Sequence, residues 1–162
     1  MEEPQHLILV VDDDENTVFA IKSLLQDSGY KTVSARNGAR AMDLMDDIKP
    51  DLILLDVMMP EMNGYEFCQE IQSRPETKTI PVMFITGKSD REAMLKGLEL
   101  GGVDYIIKPF NERELLARVK TQLKLKKAYE EIYHLRDLLP ICIKCKKIKT
   151  NDGYWEEVEH YL

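Results

Sequence analysis

The sequence predicts an α/β domain, a five-stranded parallel sheet with helices on both faces, followed by an extended C-terminal helix. Two observations predict this fold class. Short apolar runs alternate with amphipathic segments from Leu7 to Leu123, the order expected of strands and helices joined by right-handed crossovers. Most of these runs are apolar throughout rather than at every second residue, as expected of strands that are buried on both faces.

The strands are predicted from their aliphatic content and from the polar or turn-forming residues that end them. The first run stops abruptly at the acidic segment Asp12-Asp13-Asp14-Glu15. In chain order, the predicted strands are Leu7–Val11, Lys31–Ala35, Leu52–Leu55, Val82–Ile85 and Val103–Ile107.

The helices are predicted from apolar residues at helical spacing and from their start and stop signals. Asn37 and Asn111 are candidate N-caps, the pairs Ser28-Gly29 and Gly101-Gly102 end helices, and Pro50 breaks one. In chain order, the predicted helices span residues 16–26, 38–48, 64–73, 91–100 and 112 onward.

Composition excludes several classes of protein. The net charge is −7, and the basic residues cluster in 113–149, where no DNA-reading motif occurs. We therefore interpret that segment as a solvated helix face and predict no nucleic-acid partner. No stretch of 18 apolar residues exists, so no membrane span is expected. The acidic N-terminus lacks a signal-peptide pattern, and three cysteines make a poor disulfide framework, so a cytoplasmic location is expected.

Polar side chains follow the apolar part of four strands, at the end where parallel strands place ligand sites. They are Asp12, Asp13, Asp56, Thr86 and Lys108. Carboxylates about 4 Å apart repel by roughly 4 kcal/mol at an effective dielectric near 20, so clustered acids favour a hard cation such as Mg²⁺. Acids, a lysine and a hydroxyl on one rim indicate a site that handles phosphoryl groups.

Each of these residues also has an ordinary interpretation when taken alone. Residues 12–14 could cap a helix, Thr86 could simply end a strand, Lys108 could be a surface lysine and Tyr105 a core residue. Their joint placement favours the site over these alternatives. Asp14 and Glu15 are interpreted as a cap and a solvated acid without a metal role, and Cys68 as a buried, unreactive thiol.

Four segments resemble, in order and spacing, the response-regulator receiver domain of two-component signalling. They are VVDDD at 10–14, LILLDVMMPEMNGYEF at 52–67, PVMFITG at 81–87 and GGVDYIIKPF at 101–110. The resemblance covers about residues 5–123. It implies a flavodoxin-like fold with strand order 2-1-3-4-5, and a signalling switch, with weak self-phosphotransfer and autodephosphorylation, rather than an enzyme.

The resemblance also implies the role of each site residue. Asp56 is the phosphoacceptor, fed by a sensor histidine kinase, and Lys108 pairs with the phosphoryl oxygens. Mg²⁺ or Mn²⁺ is held by Asp56, directly by Asp13, through water by Asp12, and by the backbone carbonyl of Met58. Two further residues form the switch: Thr86 hydrogen-bonds to the phosphoryl group, and the ring of Tyr105 then turns inward. Met58 and Lys88 flank the approach to Asp56 and tune the phosphoryl lifetime.

The predicted helix continues beyond the receiver segment. Its apolar residues follow spacings of three and four, the seam of a coiled coil, at Leu125, Ala128, Ile132, Leu135 and Leu139. A helix that folds back on its own domain is the alternative. We favour homodimerisation through this helix and through the face formed by the fourth helix, fifth strand and fifth helix. The predicted division is a receiver domain at 1–123, a helical extension at 124–139 and a tail at 140–162.

The tail contains Cys142 and Cys145 in a Cys-x-x-Cys pair, half of a tetrahedral zinc site. It resembles a short module, of the form LPIC..CKKI…GYW..VE.Y, that follows receiver and sensory domains in bacterial signalling proteins. That pattern continues with a second Cys/His group, so we expect the sequence to be a shortened form of a longer chain. With His160 as the nearest third ligand, a redox dithiol or two packing cysteines compete with zinc. A dimerising scaffold and a zinc or redox module are therefore the alternative functions.

Overall fold

The computed structural model describes residues 5–87, 91–138, 147–149 and 155–157. The chain divides into two compact units, Met1–Leu123 and Lys124–Leu162. The elements in chain order are β1 Leu7–Val11, α1 Glu15–Asp27, β2 Lys31–Ala35, α2 Gly38–Met45, β3 Leu52–Leu55, α3 Gly64–Ser73, β4 Val82–Thr86, α4 Arg91–Glu99, β5 Asp104–Ile107, α5 Glu112–Leu138, β6 Lys147–Lys149 and β7 Trp155–Glu157.

The first unit contains one parallel sheet with the strand order β2-β1-β3-β4-β5. At one edge of the sheet β1 pairs with β2, with Leu7 opposite Lys31, and at the other edge β4 pairs with β5, with Thr86 opposite Ile107. Each crossover between parallel strands contains a helix, as such connections require. The predicted five-stranded, flavodoxin-like fold is therefore confirmed.

Apolar side chains on the two faces of the sheet form two separate cores. Successive residues of β1 point to opposite faces, as the strand period of two requires, so Leu9 lies in one core and Ile8 in the other. The core around Leu9 is completed by α2, α3 and α4, and the core around Ile8 by α1 and α5. Burial on both faces explains why the three central strands, β1, β3 and β4, are apolar almost throughout, whereas the edge strand β2 is not.

Several element ends differ from the prediction, most clearly in α2, which ends at Met45 rather than at residue 48. The backbone N–H of Asp46 bonds to the carbonyl of Asp43 at 3.3 Å, closing a tighter turn. Asp46 and Asp47 would also sit at the negative end of a longer helix, which is unfavourable. Smaller shifts place Thr86 inside β4 and leave Val103 just before β5, donating to the carbonyl of Val82 at 2.8 Å.

The second unit contains the C-terminal part of α5 and the antiparallel pair β6–β7. On α5, the side chains of Leu125 and Ile132 are each about half exposed. The side chain of Leu135 and all of Leu139 lie outside the described residues, so the coiled-coil seam stays a prediction. Among the helices described, none combines the length and apolar character needed to cross a membrane.

Candidate functional site

The carboxyl ends of β1 and β3 bring three acidic side chains together. The backbone N–H of Asp56 bonds to the carbonyl of Val11 at 2.9 Å, which aligns the residue after β3 with the end of β1. Carboxylate oxygens of Asp12, Asp13 and Asp56 all lie within 4.8 Å of one another. Asp12 is 3% and Asp56 6% exposed, whereas Asp13 faces solvent. In the described part of the chain, this is the one group of three or more potential metal ligands at such spacing.

Lys108 reaches the acidic group from the end of β5. Its Nζ lies 2.6 Å from Oδ2 of Asp12 and 3.1 Å from Oδ2 of Asp56. Its backbone N–H bonds to the carbonyl of Thr86 at 2.8 Å, which fixes the loop after β5 to the end of β4. One ammonium beside three carboxylates leaves two formal negative charges, which one divalent cation would balance.

The pKa values of Asp12 and Lys108 are both raised in this environment. Burial raises the pKa of Asp12, and the charge of Asp56 raises it further, against the opposing hydrogen bonds from Lys108 and from the amide of Asp14. Burial lowers the pKa of Lys108, but its hydrogen bond to Asp12 and its attraction to both carboxylates outweigh this and raise it. Lys108 therefore stays protonated at neutral pH, and the acids are not fully neutralised.

The carboxylates of Asp12 and Asp56 are held in place by the backbone. Oδ1 of Asp12 accepts from the N–H of Asp14 at 2.9 Å, and Oδ1 of Asp56 accepts from the N–H of Met58 at 3.2 Å. In both groups Oδ2 is the oxygen that Lys108 contacts. Asp14 itself caps α1, accepting from the N–H of Asn16 and from the Thr17 hydroxyl. The carboxylate of Asp14 is thus used in capping, as the sequence predicts.

The loop after β3 is fixed by Gly64, a residue whose role the sequence analysis missed. Its N–H bonds to the carbonyl of Val57 at 3.0 Å. A Cβ atom at this position would lie 2.2 Å from the backbone carbonyl oxygen of Asp56, so only glycine fits. A capping box between Asn63 and Glu66 starts α3 at the same point. The Asn-Gly pair in the sequence signals a turn, but it does not reveal this close approach.

Thr86 is the last residue of β4, the strand next to β3, and Tyr105 lies on β5, one strand further out. The side chain of Thr86 is fully buried and that of Tyr105 is 6% exposed. The Tyr105 ring packs 6.0 Å, centroid to centroid, from the ring of Phe84. The resemblance to receiver domains implies that this ring turns inward on switching, and in this structure the ring is already inside the domain.

The remaining predicted residues divide into two groups. Cys68 is fully buried in α3, and burial raises its pKa to about 11, so it is a thiol at neutral pH. Lys88, Cys142, Cys145 and His160 lie outside the described residues, and the structure therefore places none of them relative to the acidic group.

Comparison with known proteins identifies a family and several relatives. A family model for the response regulator receiver domain matches residues 8–120. The chain is 42% identical over 117 residues to the alkaline phosphatase synthesis transcriptional regulatory protein PhoP of Bacillus subtilis, covering 72% of this chain and 48% of that protein. It is 42% identical, over 72% of its length, to the transcriptional regulatory protein CpxR of Escherichia coli, of which it covers 49%. The chain thus spans about half the length of these curated relatives.

Solved structures give the same result. The signal receiver domain of a signal transduction histidine kinase from Syntrophus aciditrophicus superposes with a TM-score of 0.69 at 38% identity, covering 74% of this chain and 90% of that one. The chemotaxis protein CheY4 of Vibrio cholerae superposes with a TM-score of 0.70 at 29% identity, covering 73% of this chain and 98% of that one.

Proposed function

The chain belongs to the family of response regulator receiver domains, and on that premise we propose that it is a switch activated by phosphorylation of Asp56. The observation that carries the proposal is the cluster of Asp12, Asp13 and Asp56 within 4.8 Å, contacted by Lys108. Receiver domains take their phosphoryl group from sensor histidine kinases, and we propose a kinase of that class as the partner. Relatives named as transcriptional regulators agree with a signalling switch rather than an enzyme.

The transfer follows from the chemistry of these groups. A carboxylate oxygen of Asp56 attacks the phosphorus of a phosphohistidine, an O–P bond forms, the N–P bond breaks and the leaving imidazole retains the electron pair. Lys108 neutralises charge on the transferred group, for which its ammonium already points at Asp56. The backbone bonds to Asp12 and Asp56 hold the acids in position, so the protein contributes mainly orientation and electrostatic stabilisation.

The donor set fits a divalent cation, and we propose Mg²⁺, with Mn²⁺ as the substitute. Asp13 and Asp56 would bind it directly, Asp12 through water, and Met58 through its backbone carbonyl. Three carboxylates provide the oxygen ligands that Mg²⁺ prefers. After the ammonium of Lys108 is counted, two negative charges remain, and one Mg²⁺ ion would balance them. When bound, the ion stabilises charge that develops on the phosphoryl oxygens.

Phosphorylation then acts on the face formed by α4, β5 and α5. The added phosphoryl group carries nearly two negative charges, and Thr86 and Tyr105 would respond to it as the switch pair. The same face exposes apolar side chains, namely Leu95, Leu98, Val103 and Ile107, each 38–48% exposed. We propose it as the homodimer surface. Sedimentation velocity with Ile107→Arg, compared with Lys49→Glu at an exposed position before β3, tests it by whether dimers are lost in the first variant alone.

Phosphorylation is tested directly with acetyl phosphate and Mg²⁺. Intact-mass spectrometry should show one added phosphoryl group on the wild-type protein and none on Asp56→Asn. Asp47→Asn, which removes an exposed acid after α2, is the matched control and should be phosphorylated normally. Absence of uptake by the wild type, or uptake that persists in Asp56→Asn, would contradict the proposal.

The two alternatives receive less support. A scaffold that works by dimerisation alone leaves the buried acids and their lysine without a role. A zinc or redox module would depend on Cys142 and Cys145. Metal analysis of the purified chain, with and without Cys142→Ser, tests that second alternative separately, and the cytoplasmic location stays an expectation from cysteine usage.

A further inference from the structure

Tyr65 connects the phosphoacceptor loop to α4. It directly follows Gly64, which packs against the backbone of Asp56 and bonds to Val57. Its side chain is 6% exposed, and its hydroxyl donates a buried hydrogen bond of 2.9 Å to the carbonyl oxygen of Ala93 in α4. Two contacts therefore connect Asp56 to α4: the packing of Gly64 against the backbone of Asp56, and the hydrogen bond from Tyr65 to Ala93.

The helix at the other end of this path is weakly anchored. Only Ala93 and Gly97 of α4 are buried, and they lie one turn apart on a single stripe. Ala93 has a small side chain, Gly97 has none, and Met94 is partly buried against the core, so the helix buries a limited apolar area. Elements with few buried contacts move most easily, and a single buried hydrogen bond has a correspondingly large effect on where this helix sits.

The ring of Tyr65 belongs to the same packing unit as the proposed switch residue. Its centroid is 5.7 Å from that of Phe84, and Phe84 is 6.0 Å from Tyr105. Gly97 lies against Phe84, where an added Cβ would be 3.0 Å from the ring. Lys96 places its ammonium 4.8 Å from the centroid of the Tyr65 ring. The hydrogen bond to Ala93 is thus made in the arrangement in which Tyr105 is buried.

We propose that Tyr65 is a positioning residue that holds α4 in the arrangement adopted after phosphorylation. The inference rests on the proposed function, in which Tyr105 responds to phosphorylation, and on the inward turn of its ring that the resemblance to receiver domains implies for that state. A hydrogen bond made in one of two states shifts the equilibrium toward that state by its own free energy. Its loss therefore weakens phosphoryl binding without changing the site that binds the metal.

The test compares Tyr65→Phe, which removes only the hydroxyl, with the wild type. The probe is beryllofluoride, which takes the place of a phosphoryl group on a carboxylate, and its affinity is measured by calorimetry in saturating Mg²⁺. We expect binding about five- to tenfold weaker, the change that corresponds to one ordinary buried hydrogen bond. The affinity for Mg²⁺ alone should stay unchanged. Tyr129→Phe, which alters an exposed tyrosine on α5, should match the wild type in both measurements.

A second measurement uses the wild type alone. Hydrogen exchange of the α4 amides should slow when beryllofluoride binds, because the helix is then held in one arrangement. Equal beryllofluoride affinity in Tyr65→Phe and wild type, tighter binding in the variant, or α4 exchange that ignores beryllofluoride would each overturn the inference. A wild type that binds no beryllofluoride would instead show that the proposed function is wrong.

Discussion

Replacing Lys108 with methionine tests the electrostatic design of the acidic group. Methionine retains much of the aliphatic length and removes the ammonium, so Asp12 and Asp56 lose the cation that contacts both of them at 2.6 and 3.1 Å. The two carboxylates stay buried, at 3% and 6% exposure. The variant therefore keeps the packing of the domain while leaving its negative charges uncompensated.

The size of the effect follows from these distances. At an effective dielectric near 20, opposite unit charges 2.6 and 3.1 Å apart attract by about 6 and 5 kcal/mol. Desolvation of the ammonium offsets much of that attraction, and breaking a buried ion pair by removing one partner costs about 3–5 kcal/mol. Since the Lys108 side chain is 21% exposed, we expect the lower end, about 3 kcal/mol, in metal-free buffer.

Magnesium should restore most of this loss. A ligand at one hundred times its Kd stabilises the folded state by about 2.7 kcal/mol. In the variant, Mg²⁺ no longer competes with an ammonium for the carboxylate oxygens, so we expect it to bind about tenfold more tightly than to the wild type. The predicted result is a domain whose folding depends strongly on the metal.

Urea unfolding at pH 7, with EDTA or with saturating Mg²⁺, measures both quantities. Lys120→Met is the matched control, because Lys120 is exposed on α5, and a surface change of this kind alters stability by less than about 0.5 kcal/mol. If Lys108→Met were as stable as the wild type in EDTA, or gained no more from Mg²⁺, the electrostatic account of the site would be wrong.

Three further predictions concern the ionisation of Asp12, the close packing at Gly64 and the burial of Cys68. The pKa of Asp12 is raised above 3.8 in the folded state, so the contribution of Asp12 to the free energy of unfolding is fully favourable below pH 3.8 and is lost as the pH rises through the folded-state pKa. Asp12→Asn should not show this loss, and urea unfolding in EDTA at pH 7 should find it more stable than the wild type. Gly64→Ala forces a Cβ to within 2.2 Å of the Asp56 carbonyl oxygen and should destabilise the domain by about 3 kcal/mol or more, whereas Gly87→Ala, with open space around it, should change stability little. Cys68 has a pKa of about 11 against 9.0 when unfolded, so between those two pH values the wild type should lose roughly 3 kcal/mol of stability that Cys68→Ala does not lose; parallel pH profiles of the two proteins would contradict its burial as a thiol.

The local signals in the sequence were sufficient to predict a five-stranded parallel sheet because they agree with one another, and the strand order came from the resemblance to receiver domains. Apolar runs that end in charged residues identify both the strands and their carboxyl ends, and parallel topology then brings those ends together. The structure accordingly places Asp12, Asp13, Asp56 and Lys108 side by side.

Other features depend on contacts between distant residues, which a sequence pattern does not specify. The bond from Tyr65 to Ala93 joins residues 28 positions apart, and its donor occupies an ordinary apolar position of α3. The burial of Tyr105 is set by its packing against Phe84, so the sequence could not predict which side the ring occupies. The early end of α2 reflects competition between helical spacing and two acids near the helix terminus.

The strand order has a consequence for how the chain assembles during synthesis. β1 lies between β2 and β3, and β4 and β5 are then added outward at one side in chain order. Since N-terminal segments leave the ribosome first, each late strand meets a template edge that is already formed. Until β5 arrives, that edge is the apolar segment Val82–Thr86, and an unpaired apolar edge is prone to pair with other chains. A chain that ends before β5 therefore leaves this apolar edge unpaired and open to association with other chains.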